Sequence, residues 1–400
     1  GQLRREIEPV TAAEFMRFVL RWQHVQPEAR LHGEGGLLEI IRQLAGFEAP
    51  ASVWESQLLR VRLARYEPEW LDRLCLNGTI GWGRLSGHRR LFDRSMSDLK
   101  ETDEEQQSRG IRPTSATPIG FFPRGEGDWL WSAMQEKTEE TGGVRESELS
   151  PVARHIQDVL HRQGACFFTD LVCATRALAS EVEEGLWELV AAGLVTADGF
   201  DNLRAFLDPH RRRGGRRAKL HRPRHAIGRW SLLRPLTSGK PPSADFAGGL
   251  PHRLKDIELV AHQLLRRYGV VFRDLLVRDS LALPWRDLLV HYRRMEMTGA
   301  VRGGRFVAGF VGEQFALPEA VESLRAQRHN NRNKGSGEQT ITISACDPLN
   351  LVGIILPGPR VPAVATNFVV LRDGAVDRVI TGGAEKGRRC SPQPVAMRKP

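Results

Sequence analysis

The fold is decided by a phrase that occurs three times along the chain, and its last copy reads YRRMEMTGAV at residues 292–301. The earlier copies read LWELVAAGLV at residues 186–195 and WLDRLCLNGTI at residues 70–80. In each copy an amphipathic helix leads to a glycine that stands two residues before a β-branched residue. We expect the glycine to end the helix in a left-handed turn, because a Cβ atom makes that turn costly.

Upstream of the last two copies, a second shared phrase extends the match. It reads LHRQG at residues 160–164 and LRRYG at residues 265–269, and both follow apolar residues at helical spacing. The repeated unit is therefore a helix, a glycine turn, a short helix, a longer helix and a two-stranded wing. This order is typical of a winged helix-turn-helix. In the third copy we expect Gly303 and Gly304 to form the tip of the wing, as a tight hairpin turn requires.

A change of period near the end of the chain predicts a small β-module. Residues 340–344 alternate with period two, and residues 349–356 form a second apolar run. Asp373 and Gly374 stand between two further apolar segments, which is a strong hairpin signal. Four short strands of this kind suggest a small barrel or half-barrel.

The sequence thus predicts an α+β chain of tandem winged-helix modules followed by a small C-terminal β-barrel-like module. In chain order we expect a winged-helix-like module, an acidic connector with short strands, a winged-helix module, a basic linker, a third winged-helix module with a trailing helix, the β-module and a basic tail. These parts occupy residues 1–92, 93–149, 150–207, 208–250, 251–326, 338–383 and 384–400.

The composition favours a polyanionic partner and excludes several classes of function. Of the 400 residues, 58 are Lys or Arg and 48 are Asp or Glu, which gives a formal net charge of +10. The sequence has no apolar run of about eighteen residues that could span a membrane, and we expect a cytoplasmic protein. The five cysteines are scattered without a C-x-x-C pair, so we expect no metal and no other cofactor. No Gly-rich loop ending in Gly-Lys-Ser/Thr occurs, so this chain by itself should not hydrolyse ATP.

The third copy carries the clearest candidates for DNA contact. A helix-turn-helix module lays its longer helix in the major groove, and arginines bind the phosphates. The candidates on the longer helix and the wing are Arg286, His291, Arg293, Arg294, Arg302 and Arg305. The second copy differs, because Glu181, Glu184 and Glu188 make its longer helix acidic. We expect that helix to pack against a neighbouring module instead.

Two further features are candidates for nucleic-acid binding. The basic linker holds the strongest concentration of positive charge, which can release counterions from a phosphate backbone. Its candidate residues are Arg211, Arg212, Arg213, Arg216, Arg217 and Lys219. The alternative is a solvated insertion without a specific role. Trp82 lies between Gly81 and Gly83, and we expect the glycines to leave its ring open for stacking on a base.

Two carboxylates are candidates for catalysis in the C-terminal module. An enzyme that acts on a base needs a carboxylate to activate water or to stabilise a cationic sugar. Asp373 and Asp347 are the candidates. Each also has a structural interpretation, since Asp347 precedes a proline and Asp373 lies in a predicted hairpin turn.

Several longer phrases resemble the region that follows the helicase core in large helicase-related (Lhr) proteins. The resemblance covers almost the whole chain. It is carried by FMRFVLRWQH at residues 15–24, GFEAP at 46–50, RYGVVFRDL at 267–275, GGRFVAGF at 303–310 and DPLNL at 347–351.

The resemblance implies the C-terminal part of a bacterial superfamily 2 DNA-repair helicase, whose full-length form is an ATP-dependent 3'-5' helicase. The two RecA-like motor domains and the ATP site of that family are not in this sequence, so the motor domains would be partners in cis or in trans. The family's C-terminal extension is a string of winged helices that ends in a β-barrel. It forms homotetramers, and in some members it removes uracil from DNA with an aspartate near the C-terminus, for which Asp373 is the closest positional match and Asp347 the next.

Three functions remain open from the sequence. The first is a DNA-binding and assembly portion of an Lhr-type repair helicase, which would bind single-stranded or damaged DNA. The second is a metal-free uracil-type DNA glycosylase that hydrolyses the N-glycosidic bond. The third is an oligomerisation scaffold without affinity for DNA.

Overall fold

The computed structural model describes residues 9–86, 117–131, 133–134, 149–207, 228–233, 250–281, 283–333 and 340–382. Within these residues helices alternate with short antiparallel strands, which agrees with the mixed α and β content expected. The chain begins with a helix α1 (Ala12–Trp22), which precedes the repeated units. Thr11 and Glu14 form a capping box at its start: the Glu14 carboxylate accepts from the Thr11 N–H at 2.8 Å, and Thr11 Oγ1 accepts from the Glu14 N–H at 3.2 Å.

The first winged-helix unit is built from residues on both sides of a long insertion. A π-helical turn at Trp54–Leu58 joins two of its helices into one continuous segment. The elements are α2 (Gly33–Leu44), β1 (Ala49–Pro50), α3 (Ala51–Val53), α4 (Leu59–Arg62), α5 (Pro68–Leu76), β2 (Ile80–Gly83) and β3 (Pro118–Pro123).

The second unit follows with three helices and a wing. Its elements are α6 (Pro151–Gln163), α7 (Phe168–Thr175), α8 (Ala179–Ala192), β4 (Val195–Ala197), α9 (Asp201–Leu207) and β5 (Trp230–Leu232). The third unit has a long first helix and a short 3-10 turn at Leu275–Arg278 in place of the second helix. Its elements are α10 (Leu250–Tyr268), β6 (Val270–Val271), α11 (Trp285–Met297), β7 (Arg302–Gly304), β8 (Gln314–Ala316) and the trailing helix α12 (Pro318–Asn333).

All three units arrange their strands in the same order, which confirms that they are copies of one fold. In the first unit β3 lies between β1 and β2, and in the third β8 lies between β6 and β7. In the second unit β5 lies between β4 and Cys166, whose N–H donates to the Trp230 carbonyl at 2.9 Å. The glycines that follow α5, α8 and α11 have φ angles of 76°, 74° and 80°, as the repeated phrase predicts. They are Gly78, Gly193 and Gly299.

The two long charged segments of the sequence lie inside wings rather than between modules. The first wing runs from β2 to β3, and the second runs from β4 to β5. The expected connector, residues 93–149, therefore contains the central strand of the first unit. The expected linker, residues 208–250, is divided by β5. Composition distinguishes these segments from the repeated units, but it does not show which strands pair across them.

Two hydrophobic cores hold the units together. One core joins α1, the third unit and the C-terminal sheet, and Phe15 of α1 lies 5.9 Å from Phe272 between ring centroids. The other joins the first and second units, and Trp82 lies 5.8 Å from Phe200. The helix that opens the chain thus completes the core of a unit that begins more than two hundred residues later.

The C-terminal module is an antiparallel sheet of β9 (Thr340–Ser344), β10 (Phe368–Arg372) and β11 (Ala375–Ile380), with β10 in the centre. Asp373 and Gly374 form the turn between β10 and β11 with φ angles of 49° and 79°, so the predicted hairpin is confirmed. The strand expected at residues 349–356 is wrong. This apolar run forms turns whose side chains are buried, and Gly353 has a φ of 72°. The described strands form no closed barrel, so the barrel-like module is not confirmed.

Across the described ranges, no helix combines the length and the apolar character that a membrane span requires.

Candidate nucleic-acid interface

Helix α11 of the third unit exposes a basic stripe along its length. Arg286, Val290, Arg293 and Met297 recur at the spacing of one helix face, and all four side chains are exposed. Arg294 is exposed beside them. Val290 is 64% exposed and Met297 82%, so the stripe alternates positive charge with apolar surface. The opposite face of α11 is buried in the core through Leu288, Tyr292 and Met295.

The wing lies against one end of this stripe. The Arg293 guanidinium donates to Glu313 Oε2 at 2.6 and 3.0 Å, which ties the helix to the far strand of the wing. The hydrogen bonds and the negative charge of Glu313 raise the pKa of Arg293 above its usual value. Arg302 and Arg305 are both exposed at the base of the wing. The structure therefore brings the five arginines predicted in the third copy to one connected surface, although it does not test whether they bind DNA.

The turn of this wing differs from the prediction. Gly303 and Gly304 lie within strand β7 and pair with Phe315 and Gln314 of β8. The two strands are instead joined by a loop of residues 305–313, and Gly309 and Gly312 at its tip have φ angles of 88° and 102°. The paired glycines accommodate the Glu296 side chain, because a Cβ on Gly303 would meet Glu296 Oε1 at 2.5 Å.

A buried glutamine fixes the base of the wing. Gln314 is 1% exposed, and its Oε1 accepts from the N–H groups of Phe306 and Val307 at 2.7 and 2.8 Å. Its Nε2 donates to the Val307 carbonyl at 2.9 Å. The same segment is paired with Val10, whose N–H donates to the Phe306 carbonyl at 2.8 Å. The backbone at residues 306 and 307 is therefore held by Gln314 on one side and by Val10 on the other.

His291 lies on the inner face of α11 and is not available to DNA. His291 is buried, with 5% of its surface exposed. Burial lowers the pKa of His291 below its usual value, while the carboxylate of Glu258 acts in the opposite direction. The neutral ring is thus part of the packing that orients the helix.

The corresponding helix of the second unit, α8, is enclosed along its C-terminal half, whereas Glu181 and Glu184 near its start are exposed. All residues from Gly185 to Gly193 are buried, and Glu188 accepts from the Ser150 N–H at 2.8 Å. At its C-terminus, Arg84 of the first unit donates to the Ala191 carbonyl at 2.8 Å. The acidic helix therefore packs against a neighbouring module, as its charge predicts.

The corresponding helix of the first unit, α5, carries mixed charge. Its Asp72 carboxylate accepts from Arg204 of the second unit at 2.9 and 3.0 Å, and Arg204 also donates to Glu55. The exposed Arg73 donates to Glu34 at 2.9 Å. Among the three helices in this position, α11 is thus the one with a basic, exposed face.

The expectation that Trp82 offers an open ring is wrong. Trp82 is fully buried and meets Phe200 edge to face. The flanking glycines do not expose it, because other side chains fill the space. A Cβ on Gly81 would meet Phe122 at 3.0 Å, and one on Gly83 would meet Leu233 at 2.5 Å.

The basic cluster at Arg211, Arg212, Arg213, Arg216, Arg217 and Lys219 lies outside the described residues. What the structure gives is the position of its two ends. The segment leaves after α9 and returns at Gly228, just before β5, so both ends belong to the wing of the second unit. At its return, Arg229 donates to Asp198 Oδ2 at 3.0 Å, which closes the base of this wing.

The two candidate catalytic carboxylates lie in different environments. Asp347 is 2% exposed, and both of its oxygens accept from Arg62, at 2.7 and 2.9 Å. Arg62 is fully buried and also donates to Gln23 Oε1 at 2.9 Å. Asp347 therefore links the C-terminal module to α4, and a substrate would have to displace Arg62 to reach it.

Asp373 is half-buried in the turn between β10 and β11. Its carbonyl oxygen accepts from Arg17 Nη1 at 2.6 Å. The next residue, Gly374, approaches α1 so closely that a Cβ would meet the Ala13 carbonyl oxygen at 2.2 Å. The turn is thus docked on α1 through its backbone, and the catalytic role of Asp373 stays a prediction.

A cavity of about 130 Å³ lies where the first unit, the third unit and the C-terminal module meet. Its lining includes Glu48, Tyr268, Arg278, Cys346 and Asp347. Burial raises the pKa of Cys346, and burial also raises that of Glu48. No group of three or more His, Cys, Asp or Glu within the described residues has the arrangement of a metal site.

Sequence reasoning missed the apolar and clamping residues of the interface. Val290, Met297 and Val311 are exposed, but each looks like an ordinary core residue in the sequence. Glu313 and Gln314 follow the phrase at residues 303–310 that resembles the Lhr family, yet nothing in their spacing shows that Gln314 clamps the wing and that Glu313 ties it to α11. Only the three-dimensional pairing of the wing shows these roles.

Two segments of the chain match family models described as winged-helix domains of the large helicase-related protein. They are residues 10–95 and 251–336, which contain α1 with most of the first unit and the whole third unit. The chain is thus similar to Lhr proteins in these two winged-helix domains. It is 29% identical over 368 residues to a protein of Mycolicibacterium smegmatis named Lhr helicase/probable uracil glycosylase, and the match covers 89% of this chain and 22% of that protein.

A second relative, from Escherichia coli K12, is named Lhr helicase/uracil glycosylase. It is 28% identical over 429 residues, and the match covers 95% of this chain and 24% of the relative. The chain thus spans about a quarter of the length of the curated relatives that it matches. Its Lhr winged-helix domains support a role in DNA interaction within a helicase.

Proposed function

We propose that this chain is the DNA-docking and assembly portion of an Lhr-type ATP-dependent DNA-repair helicase, with α11 and its wing as the principal contact. The proposal rests on one observation. Of the three equivalent helices, α11 alone exposes three arginines, two of which pair with Asp287 and Glu313. The C-terminal half of α8 is enclosed, and α5 carries a single arginine, which pairs with Glu34. The third unit also matches an Lhr winged-helix domain over its full length.

The physical basis is the release of counterions from the DNA backbone. The arginines that would bind phosphates are exposed on α11 and its wing, and they are Arg286, Arg293, Arg294, Arg302 and Arg305. Arg286 and Arg293 would exchange their carboxylate partners, Asp287 and Glu313, for phosphate. Each phosphate contact adds about 0.9 to the dependence of log affinity on log salt concentration for B-form DNA. The basic segment of the second wing would add contacts that carry no sequence information. The activity proposed for this chain needs no cofactor.

The test is a salt titration of DNA binding by fluorescence anisotropy. The variant is Arg286→Ala combined with Arg294→Ala. We expect binding to weaken by roughly tenfold near 0.1 M salt, and the salt slope to fall by about two. The matched control is Arg65→Ala with Arg73→Ala, which removes two exposed arginines from the first unit and changes the net charge equally.

The two pairs of variants separate a located interface from general attraction. Equal losses of affinity in both double variants would contradict the proposal, since the binding would then depend on net charge alone. Neutralising Arg211, Arg212, Arg213, Arg216 and Arg217 together tests the second wing in the same titration. There we expect a lower salt slope for every DNA sequence.

A second candidate function is DNA glycosylase activity, because both curated relatives carry uracil glycosylase in their names. In this chain Asp373 is the better candidate of the two carboxylates, since Asp347 is bound by Arg62 on both oxygens. The test is incubation with an end-labelled, uracil-containing single strand, followed by alkali and a sizing gel. Cleavage at uracil that Asp373→Asn abolishes without loss of DNA binding would support it, and an intact strand would contradict it.

Assembly is the remaining part of the proposal. We expect the chain to form a homo-oligomer such as a tetramer. We also expect it to act with helicase motor domains in cis or in trans. Sedimentation of the chain with and without a single-stranded oligonucleotide measures both properties. A stable oligomer that has no affinity for DNA at moderate salt would favour the scaffold function instead.

A further inference from the structure

The tip of the third wing presents an apolar side chain to solvent. Val311 is 89% exposed, the highest value for a large apolar side chain among the described residues. It lies between Gly309 and Gly312, around which a Cβ would meet nothing within 4 Å. Exposure of a valine in open space gains nothing for the fold, because no apolar area is removed from water there.

The tip is nevertheless held in place by its neighbours. Phe310, the residue before Val311, packs its ring 4.9 Å from that of Phe272 in the core. On the other side, Glu313 accepts from Arg293, and Gln314 clamps the backbone at the base of the wing. A loop that is fixed on both sides of one projecting apolar residue is already organised for contact, so binding would cost little ordering entropy.

The surroundings of the tip indicate the kind of partner. The wing and the adjoining stripe carry Arg302, Arg305, Arg293 and Arg294, which favour a polyanion. A nucleic acid fits both features of this surface. Its phosphate backbone is anionic, and the space between two of its stacked bases can take up one apolar side chain when the bases are parted. Proteins that contact DNA in this way insert apolar side chains such as Leu, Ile or Met between base steps while basic side chains contact the DNA around them.

We propose that Val311 is a wedge that inserts between adjacent bases of the DNA bound along α11. This inference rests on the DNA-docking function proposed above. Parting a base step costs a few kcal/mol, and the cost is least where stacking is already interrupted. The wedge therefore directs the interface to a junction between duplex and single strand in preference to continuous duplex.

The experiment places 2-aminopurine, whose fluorescence rises when it is unstacked, at the junction of a partial duplex. The full chain at saturating concentration is expected to raise the fluorescence. In Val311→Ser most of this rise is lost, and the preference for the junction over continuous duplex falls by roughly five- to tenfold. The matched control is Val364→Ser, which removes an exposed valine from the C-terminal module, away from α11 and its wing, and is expected to keep the fluorescence rise.

The outcomes separate the wedge from docking. An unchanged fluorescence rise in Val311→Ser, with binding intact, overturns the wedge and leaves docking in place. Equal losses in Val311→Ser and Val364→Ser also overturn it, because the effect would not belong to the tip. If the unaltered chain binds neither DNA, docking itself fails. A change in self-association in Val311→Ser, with DNA signals unchanged, assigns the tip to a protein contact and overturns the proposal.

Discussion

Arg62 and Asp347 are 285 positions apart in the chain, and their ion pair is removed from water on both sides. A second buried pair, Arg267 with Asp279, links the third unit to the first, because Arg267 also donates to the Ala45 carbonyl at 2.6 Å. Buried pairs of this kind contribute little net free energy when complete. Removing one partner is costly, since it leaves an uncompensated charge in the core.

For this reason we expect Asp347→Ala to lower the free energy of unfolding by about 3–5 kcal/mol. Replacing both partners with apolar residues, Arg62→Met with Asp347→Leu, should recover most of that loss. Urea unfolding followed by tryptophan fluorescence measures both variants. If Asp347→Ala is as stable as the unaltered chain and loses only a chemical activity, the structural role assigned to this carboxylate is wrong.

The buried His291 makes stability depend on pH. Burial lowers its pKa in the folded chain, so the unfolded chain binds the proton more readily. Stability is therefore fully present above the unfolded value of about 6.5 and is lost as pH falls below it, by at most about 1.4 kcal/mol per pH unit for one group. Thermal unfolding between pH 8 and 5.5 should show this loss.

The matched variant is His291→Gln, which cannot take up a proton. We expect its melting temperature to fall less than that of the unaltered chain over the same pH range. The pKa of His24 is also lowered by burial, so part of the dependence will remain. An identical fall in both chains would show that His291 does not contribute.

At the scale of elements, the local patterns predicted helices well. The apolar spacing of α6 and α10, the glycines after α5, α8 and α11, and the Asp-Gly turn at residues 373–374 all depend on neighbours in the sequence. The position of β3 could not be predicted in this way. Its partners β1 and β2 lie across a long insertion, and only the closed sheet shows that β3 is the central strand.

Burial was the other property that local patterns did not give. Trp82 and the residue stretch 349–356 were placed by the packing of distant side chains, and Leu233 fills the space beside Gly83. In the proposed interface, the sequence could predict the arginines because charge is visible in composition. It did not identify Val311 or Gln314, since exposure of a valine and burial of a glutamine both depend on the folded wing.

The wing of the third unit should depend on Gln314. Gln314→Ala removes the acceptor for the N–H groups of Phe306 and Val307 and leaves them buried without a partner. We expect a loss of about 2–3 kcal/mol in stability, concentrated in the wing. Hydrogen–deuterium exchange should show faster exchange at residues 305–313 while α6 stays protected. Uniform acceleration across the chain would contradict this local role.

At the scale of the whole molecule, the cores do not follow the order of the chain. α1 completes the core of the third unit and the C-terminal sheet, whereas the first and second units share the other core. Gly269 permits this arrangement, because a Cβ atom at this position would meet the Phe18 ring at 2.8 Å. The proposed DNA-docking surface is thus supported by residues from both ends of the described chain.

We therefore expect Phe18→Ala to weaken α11 and β10 together. The deletion of a fully buried aromatic ring typically costs about 3–5 kcal/mol. Exchange protection should fall in parallel at α1, α11 and β10, and less at α6 and α7 in the other core. As a control, Leu76→Ala changes a residue that is 48% exposed and should have little effect. A loss confined to α1 would show that it is not part of this core.

The central claim is that α11 and its wing are the surface that binds DNA. Hydrogen–deuterium exchange of the chain with and without a partial-duplex oligonucleotide tests it most directly. The predicted result is slower exchange on DNA binding at residues 285–298 and 302–313, with no change at α8. Slower exchange confined to the C-terminal sheet or to α5, with α11 unchanged by bound DNA, would contradict the claim.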